Sequence, residues 1–594
     1  MSIPKSDSDL SYQPLMEDEE IEGQLTSPRN SPQSSSKSPP KRISRDVESH
    51  ARFDDQILRD VEVTAEVTSY VYFIAVVVAI GGFLFGYDTG VISSAMLLLE
   101  QEFTMTALQK GIIVGAVTLG AVFGGAIAGY LSDLMGRKIT TILSALTFLV
   151  GAIILSIAYT YSSLVFGRLI IGLGVGLASM VVPIYISEIS PRYYRGRLVT
   201  LNVLFITGGQ VVAYLVGIAF VEKGGWRWMF GVSGIPPLIQ LFVMPIIPES
   251  PRFLVRKGKS EEAKRVLQKI YPNSSQAFLD EEIDIIYETI AVDSSGSYRK
   301  LIQYPNLKPL IIACGLQAIQ QLTGFDTAMY YGATIMKMAG FINIRDAIMF
   351  SLVVSLTNFL MTAVALNLID RVGRRKILLN TVIATIVSLL LLGIGFYFIT
   401  GFTVKQPQCI DYGDRCGACL LDDRCGFAKR DGGICLSRQP SKDLINIEDV
   451  NFLFKREEIS GGNNFNEQAN GNFTDVVFYD ECPNMKPIYT WFALICLVLY
   501  VMAYALGLGH APWLIQSEIF SLSVRGRATG IATATNWLVN LAITVSFLPL
   551  TEMITTSGTF WLYASFMIFG WIFIYLMVPE TAGKSLEEIQ ELFY

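Results

Sequence analysis

Two ionisable side chains lie within apolar sequence, where charge is costly: Asp88 in GGFLFGYDTGVISS and Arg168 in VFGRLIIG. A carboxylate at bilayer depth costs roughly 2.5–3.5 kcal/mol, so we expect it to have a basic partner, for which Arg168 is the candidate. Pairing favours the charged carboxylate, whereas separation in a dry site favours its protonation. A motion that makes and breaks this pair would couple proton binding to conformation. A static ion pair that only orders the helices is the alternative.

Amide and indole side chains within apolar segments are a second chemical feature. Amides donate and accept hydrogen bonds and an indole offers an apolar face, so together they suit an uncharged ligand with several hydroxyl groups. A single Gln or Trp in such a segment is more often a helix contact or an interfacial anchor. The candidates are Gln210, Gln317, Gln320, Gln321, Asn358, Trp513, Asn536, Trp537 and Asn540.

The composition indicates a membrane protein. Hydrophobic residues make up 51% of the 594 residues and charged residues only 16%; with a mean hydropathy of +0.44, the chain lies outside the range of soluble domains. Segments of about 20 apolar residues can cross the hydrocarbon layer as helices. Twelve such spans begin near Val71, Lys110, Ile139, Leu164, Leu198, Met229, Pro309, Ala347, Ile377, Ile488, Ala528 and Trp561.

Charge in the short loops predicts the orientation of these spans. Lysine and arginine follow the even-numbered spans, which places both termini in the cytoplasm. Six cysteines and the sequon at Asn472 then fall in an outside segment between spans 9 and 10, where disulfides persist. Cys416-x-x-Cys419 has zinc-ligand spacing, but no second such pair or histidine accompanies it. The disulfide candidates, whose pairing stays open, are Cys409, Cys416, Cys419, Cys425, Cys435 and Cys482.

An internal repeat divides the chain into two halves of six spans. GYLSDLMGRK (129–138) recurs as LNLIDRVGRRK (366–376), SEISPRYYRGR (187–197) recurs as SEIFSLSVRGR (517–527), and PESPR recurs as PETAGK. Paired halves around a central site suit a carrier that rocks between two openings. The repeated charges are predicted to pair when the inner side is shut and to part when it opens; anchoring of helix ends is the alternative. These gating candidates are Asp133, Arg137, Glu188, Arg195, Asp370, Arg374, Glu518 and Arg525.

Seven motifs mark both halves: GRK after span 2, RGR after span 4, PESPRFLV, QQLTG, DRVGRRK, PWLIQSEIF and VPETAGKSLEE. With them the chain resembles the sugar-porter branch of the major facilitator superfamily, from about Tyr70 to the end apart from the cysteine-bearing segment. That segment and FGYDTGVIS make it most similar to the proton-coupled myo-inositol cotransporters. The resemblance implies an all-α membrane fold, with twelve helices in two six-helix bundles and an inserted extracellular disulfide-rich segment.

The repeat and the resemblance together predict the domain organisation. The expected segments are a disordered cytoplasmic tail (1–65), a first six-helix bundle (66–249), a cytoplasmic linker with short helices (250–305), spans 7–9 (306–401), an extracellular glycosylated loop (402–486), spans 10–12 (487–580) and a cytoplasmic tail (581–594).

The resemblance also implies roles for single residues. Proton-driven sugar porters have Asp at the position of Asp88, where facilitative hexose carriers typically have Asn, so Asp88 and Arg168 are the implied coupling pair. Asp326 stands where sugar porters typically have Asn. It would accept hydrogen bonds only, serve as a second proton site or shift the preferred substrate. The implied substrate contacts are Gln210, Gln320, Gln321, Asp326, Asn358, Trp513, Trp537 and Asn540.

We therefore expect a proton-coupled polyol symporter, with myo-inositol as the first substrate and a hexose, carried with protons or by facilitation, as the second. A non-transporting nutrient receptor on the same fold is the alternative, since fold does not fix function. An enzyme is not expected, because the sequence has no nucleophile with a base, metal cluster or phosphate loop. The expected partners are the polyol or sugar, protons and the lipid bilayer, with no nucleic acid, metal or cofactor beyond the transported proton. We expect a monomer in the plasma membrane, with a vacuolar or lysosomal membrane as the alternative.

Overall fold

The computed structural model describes residues 68–594 except 192–193, 295–297, 305, 342, 401–424, 429–433, 438–477, 480–486, 522–523, 583–587, 590–591 and 594. Several predictions fall outside this part of the chain. They concern the 1–65 tail, the sequon at Asn472, the cysteines Cys409, Cys416, Cys419 and Cys482, and the side chain of Asp370.

Long apolar helices form the first half of the chain. Polar residues at their starts satisfy free backbone groups: capping boxes join Thr106 to Gln109 and Thr160 to Ser163, as expected where helix N–H groups lack partners. The helices are α1 (Ser69–Glu102), α2 (Ala107–Met135), α3 (Arg137–Ser156), α4 (Tyr161–Ile189), α5 (Arg195–Ala219), α6 (Trp226–Val232) and α7 (Ile235–Val243).

Short polar helices follow and lead into the second half. The short helices are α8 (Pro251–Arg256), α9 (Ser260–Ile270), α10 (Gln276–Ser294) and α11 (Tyr298–Leu301). The helices of the second half are α12 (Leu307–Leu322), α13 (Phe325–Tyr330), α14 (Gly332–Met338), α15 (Ile344–Val372), α16 (Arg374–Thr400), α17 (Pro487–Leu506), α18 (Ala511–Ile519) and α19 (Arg525–Met577).

A small antiparallel sheet lies between α16 and α17. Its strands are β1 (Cys425–Ala428), β2 (Ile434–Ser437) and β3 (Phe478–Tyr479), in the order β2-β1-β3. Phe427 of β1 pairs with Cys435 of β2 and with Tyr479 of β3. Cys425 and Cys435 are buried, and each takes part in a disulfide bond.

Ten candidate membrane spans occur among the described residues, and the predicted helical membrane architecture is confirmed. The first helices begin two or three residues before the predicted starts. Predicted spans 11 and 12 correspond to the two helical segments of α19, which meet at a kink at Thr555, where φ is 71°. Predicted span 7 is broken into α12, α13 and α14, so no single helix represents it.

Close helix packing brings the two halves together. Within the first half α1 packs against α5 and α2 against α4; between the halves α2 packs against α19 and α5 against α15. Glycines permit the closest approaches: a Cβ on Gly172 of α4 would lie 2.2 Å from the carbonyl oxygen of Val117 on α2. Small residues are characteristic of such backbone contacts between membrane helices. The close contact places Arg168, one turn before Gly172, in the interior.

Candidate functional site

The ionisable residues Asp88 and Arg168 form a buried pair. Arg168 Nη1 donates to Asp88 Oδ1 at 2.5 Å, and the two residues are 0% and 5% exposed, respectively. Arg168 Nε donates to the carbonyl oxygen of Ile113 at 3.4 Å, and Nη2 has no hydrogen-bond partner among the described residues. One strong hydrogen bond therefore joins α1 to α4 in an environment where charge is costly.

Glycine spacing on α1 positions the carboxylate of this pair. A Cβ on Gly86 would lie 1.7 Å from the carbonyl oxygen of Ile206, and one on Gly90 would lie 2.8 Å from Ala213 Cβ. The face of α1 that carries these glycines therefore lies directly against α5. Asp88, midway between them in sequence, projects from another face of the helix because successive residues are about 100° apart.

Amide side chains meet between the two halves. Asn358 Nδ2 on α15 donates to Gln210 Oε1 on α5 at 3.0 Å, and both residues are buried. This bond joins the first half of the chain to the second. Two predicted substrate-site residues are thus brought together by direct contact.

A second set of side-chain amides forms a hydrogen-bonded chain within the second half. It joins helices α12, α13, α18 and α19, and it includes Gln516 and Asn536, which the predicted set of substrate contacts omitted. Gln317, a candidate from the sequence that the resemblance did not place among the substrate contacts, is also a member. The bonds run from Gln317 to Gln516 (2.7 Å), from Asn536 to Gln317 (2.8 Å) and Gln320 (2.9 Å), from Gln321 to Asn536 (3.2 Å), and from Asn540 to Gln321 (2.8 Å) and Asp326 (2.7 Å).

The sequence QQLTGFD breaks the helix so that Asp326 can reach this chain. Gly324 has φ +74°, which a residue with a Cβ rarely adopts, and a Cβ there would lie 2.5 Å from the ring of Tyr563. Thr323 Oγ1 accepts from the N–H of Phe325 at 3.1 Å and begins the next helix. The turn at Gly324 therefore brings the start of α13 back toward α19, where Asn540 lies.

Tyrosines of the broken helix contact the first half. Tyr330 is 1% exposed, shares a hydrogen bond with Thr89 and lies within electrostatic range of Asp88, Arg168 and Asp326. Tyr214 on α5 donates to the carbonyl oxygen of Met329 at 2.9 Å. The region around Tyr330 is therefore where the ionisable pair and the amide chain approach each other.

The two predicted tryptophans differ in environment. Trp537 is 4% exposed, with its ring edge-on to Phe85 and ring centroids 5.7 Å apart. Trp513 is 39% exposed on α18 and takes no part in the amide chain. Only Trp537 therefore lies at a buried contact between the halves.

The repeated charges form ion pairs at corresponding places in each half. Arg137 Nη2 donates to Glu188 at 2.9 Å, and Arg137 lies 3.6 Å from Asp133. In the second half Arg374 donates to Glu518 at 3.2 Å. These pairs join helices within one half of the chain.

Three members of the predicted gating set whose side chains the structure describes, Asp133, Arg195 and Arg525, contact backbone or linker. Arg195 Nε donates to the carbonyl oxygen of Ser187 at 3.0 Å, and Arg525 Nε donates to that of Phe520 at 3.3 Å. Asp133 also accepts from Arg256 of α8 at 2.5 Å. This ion pair therefore joins the linker helix α8 to the C-terminal end of α2.

Two acidic residues that sequence reasoning missed hold matching helix starts. Glu249 accepts from the N–H of Arg137 at 2.9 Å, and Glu580 accepts from the N–H of Arg374 at 2.9 Å. Each carboxylate lies at a helix N-terminus, where negative charge is stabilising. The repeat of PES as PET was the sequence signal that could have identified them.

Burial raises the pKa of Glu249 above its ordinary value of 4.5, although N–H groups of Ser250, Arg137 and Lys138 act in the opposite direction. Desolvation of the carboxylate is the larger effect. The hydrogen bonds that hold the start of α3 are therefore made by an acid whose charged form is disfavoured by its surroundings.

An ion pair and an amide-lined region between two related halves are features of a membrane carrier. The family of sugar (and other) transporters matches residues 74–410 and 476–593. The human proton myo-inositol cotransporter is 39% identical over 553 residues, covering 89% of this chain and 82% of that protein. Myo-inositol transporter 1 of Cryptococcus neoformans var. grubii is 36% identical over 547 residues, covering 90% and 83%.

A solved structure shares the fold. It is that of the MFS (major facilitator superfamily) proton:xylose symporter XylE of E. coli bound to 6-bromo-6-deoxy-D-glucose, with a TM-score of 0.64 and 25% identity over 89% of this chain and 100% of that one. The chain belongs to the sugar (and other) transporter family. It is therefore a transporter and not an enzyme.

Proposed function

We propose that this transporter is a proton-coupled symporter that moves a polyol, myo-inositol in the first place, by alternating access. The observation that carries the proposal is the buried pair of Asp88 and Arg168 next to an amide-lined region between the halves. The relatives named as myo-inositol transporters and the structural neighbour named as a proton:xylose symporter support the same function.

Coupling in this proposal depends on the single bond between Asp88 and Arg168. Protonation of Asp88 removes the charge attraction that holds α1 to α4, so the two helices can separate. The pair re-forms when the proton leaves on the other side. A proton crossing about 100 mV supplies about 2.3 kcal/mol, equivalent to roughly a fifty-fold concentration ratio of substrate.

Substrate binding would use the hydrogen bonds between the halves. A polyol can donate to Gln210 and accept from Asn358, replacing the direct bond between these residues. Because the two amides lie on different halves, the bound polyol would bridge α5 and α15. We propose that Gln320, Gln321, Asp326, Asn540 and Trp537 complete the site, with Trp513 reaching it in another conformation.

Gating in this proposal uses the charges at the ends of the helices. The pairs of Arg137 with Glu188 and of Arg374 with Glu518 would hold each half rigid, while Arg195, Asp370 and Arg525 would act where the halves meet. Both pairs are largely shielded from solvent, so desolvation offsets much of their attraction and the net contribution of each is on the order of 1 kcal/mol. Changes of that size are enough to bias a balanced two-state equilibrium.

We also propose that the chain has twelve spans in two six-helix bundles, with α19 supplying two of them and α12–α14 one. Its segment 402–486 would be extracellular, with six cysteines in disulfides and a glycan on Asn472. Support comes from the loop charges and from the two buried, bonded cysteines of the small sheet. The transporter would act as a monomer in the plasma membrane.

Uptake measurements test this proposal. Radiolabelled myo-inositol and glucose are offered to cells that lack their own carriers, at acidic and at neutral external pH, with and without a protonophore. We expect acid-stimulated, protonophore-sensitive uptake of myo-inositol in preference to glucose. Uptake that ignores both pH and protonophore refutes symport, and saturable binding without uptake identifies a receptor instead.

A further inference from the structure

The amide chain has a fixed hydrogen-bond direction, which is determined at the end formed by Gln320. At one end Gln320 Nε2 donates to the backbone carbonyl oxygen of Leu508 at 2.7 Å. A backbone carbonyl can only accept, so the side-chain oxygen of Gln320 must face the other way. That oxygen accepts from Asn536 Nδ2 at 2.9 Å.

Each following amide inherits this direction. With its N–H groups given to Gln320 and Gln317, Asn536 can only accept from Gln321, whose Nε2 lies 3.2 Å from Asn536 Oδ1. Gln321 Oε1 then accepts from Asn540 at 2.8 Å. An amide has two N–H groups, so the second N–H of Asn540 is directed at residue 326.

The chain therefore requires an acceptor at position 326, where Asn540 Nδ2 donates to Asp326 Oδ2 at 2.7 Å. An Asn at this position would also use its oxygen here, and its second polar atom would be an N–H donor. The second atom of Asp326 is instead another acceptor oxygen. Asn and Asp at position 326 differ in one side-chain atom. Because the direction of the amide chain is fixed, this difference replaces an N–H donor of Asn with an acceptor oxygen of Asp326.

Acceptor capacity remains on this carboxylate. A carboxylate has about four acceptor positions, and the hydrogen bonds to its side chain come from Asn540 and Gln321. None of the ion pairs found among the described residues involves Asp326, and the residue is only half-buried. Asp326 can therefore accept from a ligand beside Tyr330, which also lies near Asp88.

We propose that Asp326 is a specificity-determining residue that requires a hydrogen-bond donor, a free hydroxyl, at one position of the substrate ring. This inference rests on the proposed polyol site and adds the direction of one hydrogen bond within it. A substrate atom that only accepts, such as an ether oxygen or a fluorine, faces acceptor oxygens there. An Asn at position 326 would tolerate that atom because it offers an N–H group.

Competition by monofluoro-deoxy analogues of myo-inositol and of glucose tests this inference. Replacement of one hydroxyl by fluorine keeps the size of the group but removes its donor. At neutral pH we expect one positional analogue to compete at least about tenfold more weakly than its parent in wild type, because the lost bond is to a charged group. In Asp326→Asn this penalty should largely disappear at the same ring position.

Controls separate selectivity from coupling and from misfolding. Asp284→Asn makes the same chemical change on the exposed surface of α10 and should keep the wild-type profile. Protonophore sensitivity should persist in Asp326→Asn, since Asp88 is intact. If Asp326→Asn does not reach the membrane, Asp326→Ser replaces it in the assay. Because a serine hydroxyl can donate or accept, the fluoro analogue should no longer compete more weakly than its parent in this variant.

An unchanged competition profile in these variants would overturn the inference. The proposed function fails by a different observation: if wild-type uptake ignores the protonophore, symport is wrong while the competition profile still decides the role of Asp326. If wild type recognises neither myo-inositol nor glucose, both the polyol site and the inference are wrong.

Discussion

Substitution of Asp88 by Asn should separate substrate movement from proton driving. Asn keeps an oxygen that can accept from Arg168 Nη1, but it cannot change charge. The cost to folding should be below the about 3–5 kcal/mol expected when one member of a buried pair is removed altogether. Asp88→Ala, which removes the acceptor as well, should show that larger loss because Arg168 is 0% exposed.

The effect on accumulation should be much larger than the effect on folding. About 100 mV supplies about 2.3 kcal/mol per proton, so wild type can concentrate substrate roughly fifty-fold, whereas Asp88→Asn should only equilibrate it. The assay uses proteoliposomes with an imposed membrane potential and measures the final internal-to-external ratio of labelled myo-inositol. A separate measurement of exchange without a gradient should show that the variant still moves substrate.

A matched control changes a solvent-exposed ion pair. Asp280 pairs with Lys264 at 2.6 Å on the linker helices and is 60% exposed, so Asp280→Asn should accumulate substrate as wild type does. The coupling argument would be refuted if Asp88→Asn still concentrated substrate many-fold and lost that ability on addition of a protonophore. Some other group would then carry the proton.

Three further predictions follow from contacts described above. Gly172→Ala should lower the free energy of unfolding by about 1–3 kcal/mol or more, measured by thermal denaturation in detergent, because the new Cβ would meet the carbonyl oxygen of Val117 at 2.2 Å. Asn358→Ala should raise the KM for uptake about tenfold, since the bound substrate loses the N–H donor that Asn358 would supply, while protonophore sensitivity persists. The pKa of Glu249 is raised above 4.5 in the folded protein, so Glu249 stabilises the fold most below pH 4.5, and this contribution falls as the pH rises. The melting temperature of wild type, measured relative to that of Glu249→Gln, should therefore fall as the pH rises.

Each of these predictions has its own comparison. Gly530→Ala introduces a Cβ with nothing within 4 Å and should leave the melting temperature unchanged; equal losses in the two alanine variants would contradict the packing argument. An unaltered KM in Asn358→Ala would exclude this residue from the substrate site. A constant difference in melting temperature between wild type and Glu249→Gln across the pH range would show that Glu249 does not titrate as inferred.

The buried ion pair could be predicted from the sequence because few residues could form it. Asp88 and Arg168 are ionisable residues within apolar spans, and the cost of leaving either charge alone makes their pairing the natural expectation. Helix starts were predictable within a few residues for a similar reason, since hydrophobic thickness fixes span length. Local composition and a strong penalty were sufficient in both cases.

The amide chain could not be predicted from the sequence in the same way. Glutamine and asparagine side chains have similar chemistry, so the sequence indicates a polar site but not which amide binds which. Gln516 lies two residues before Glu518 in the largely apolar motif PWLIQSEIF, and only the packing of α18 against α12 reveals its contact with Gln317. The division between predicted spans 11 and 12 has its counterpart at Thr555, but the position of the kink was not predicted, because a residue other than Gly or Pro gives little local signal.

The matching carboxylates Glu249 and Glu580 make the two halves equivalent in one further respect. Each accepts hydrogen bonds at the start of a helix that follows a glycine with φ 98°, Gly136 in one half and Gly373 in the other. The linker therefore leaves the first half at the same structural point at which the C-terminal tail leaves the second. If the chain were cut in the linker, each fragment would keep its own glutamate, so separately translated fragments would each contain the residues that hold the start of the matching helix.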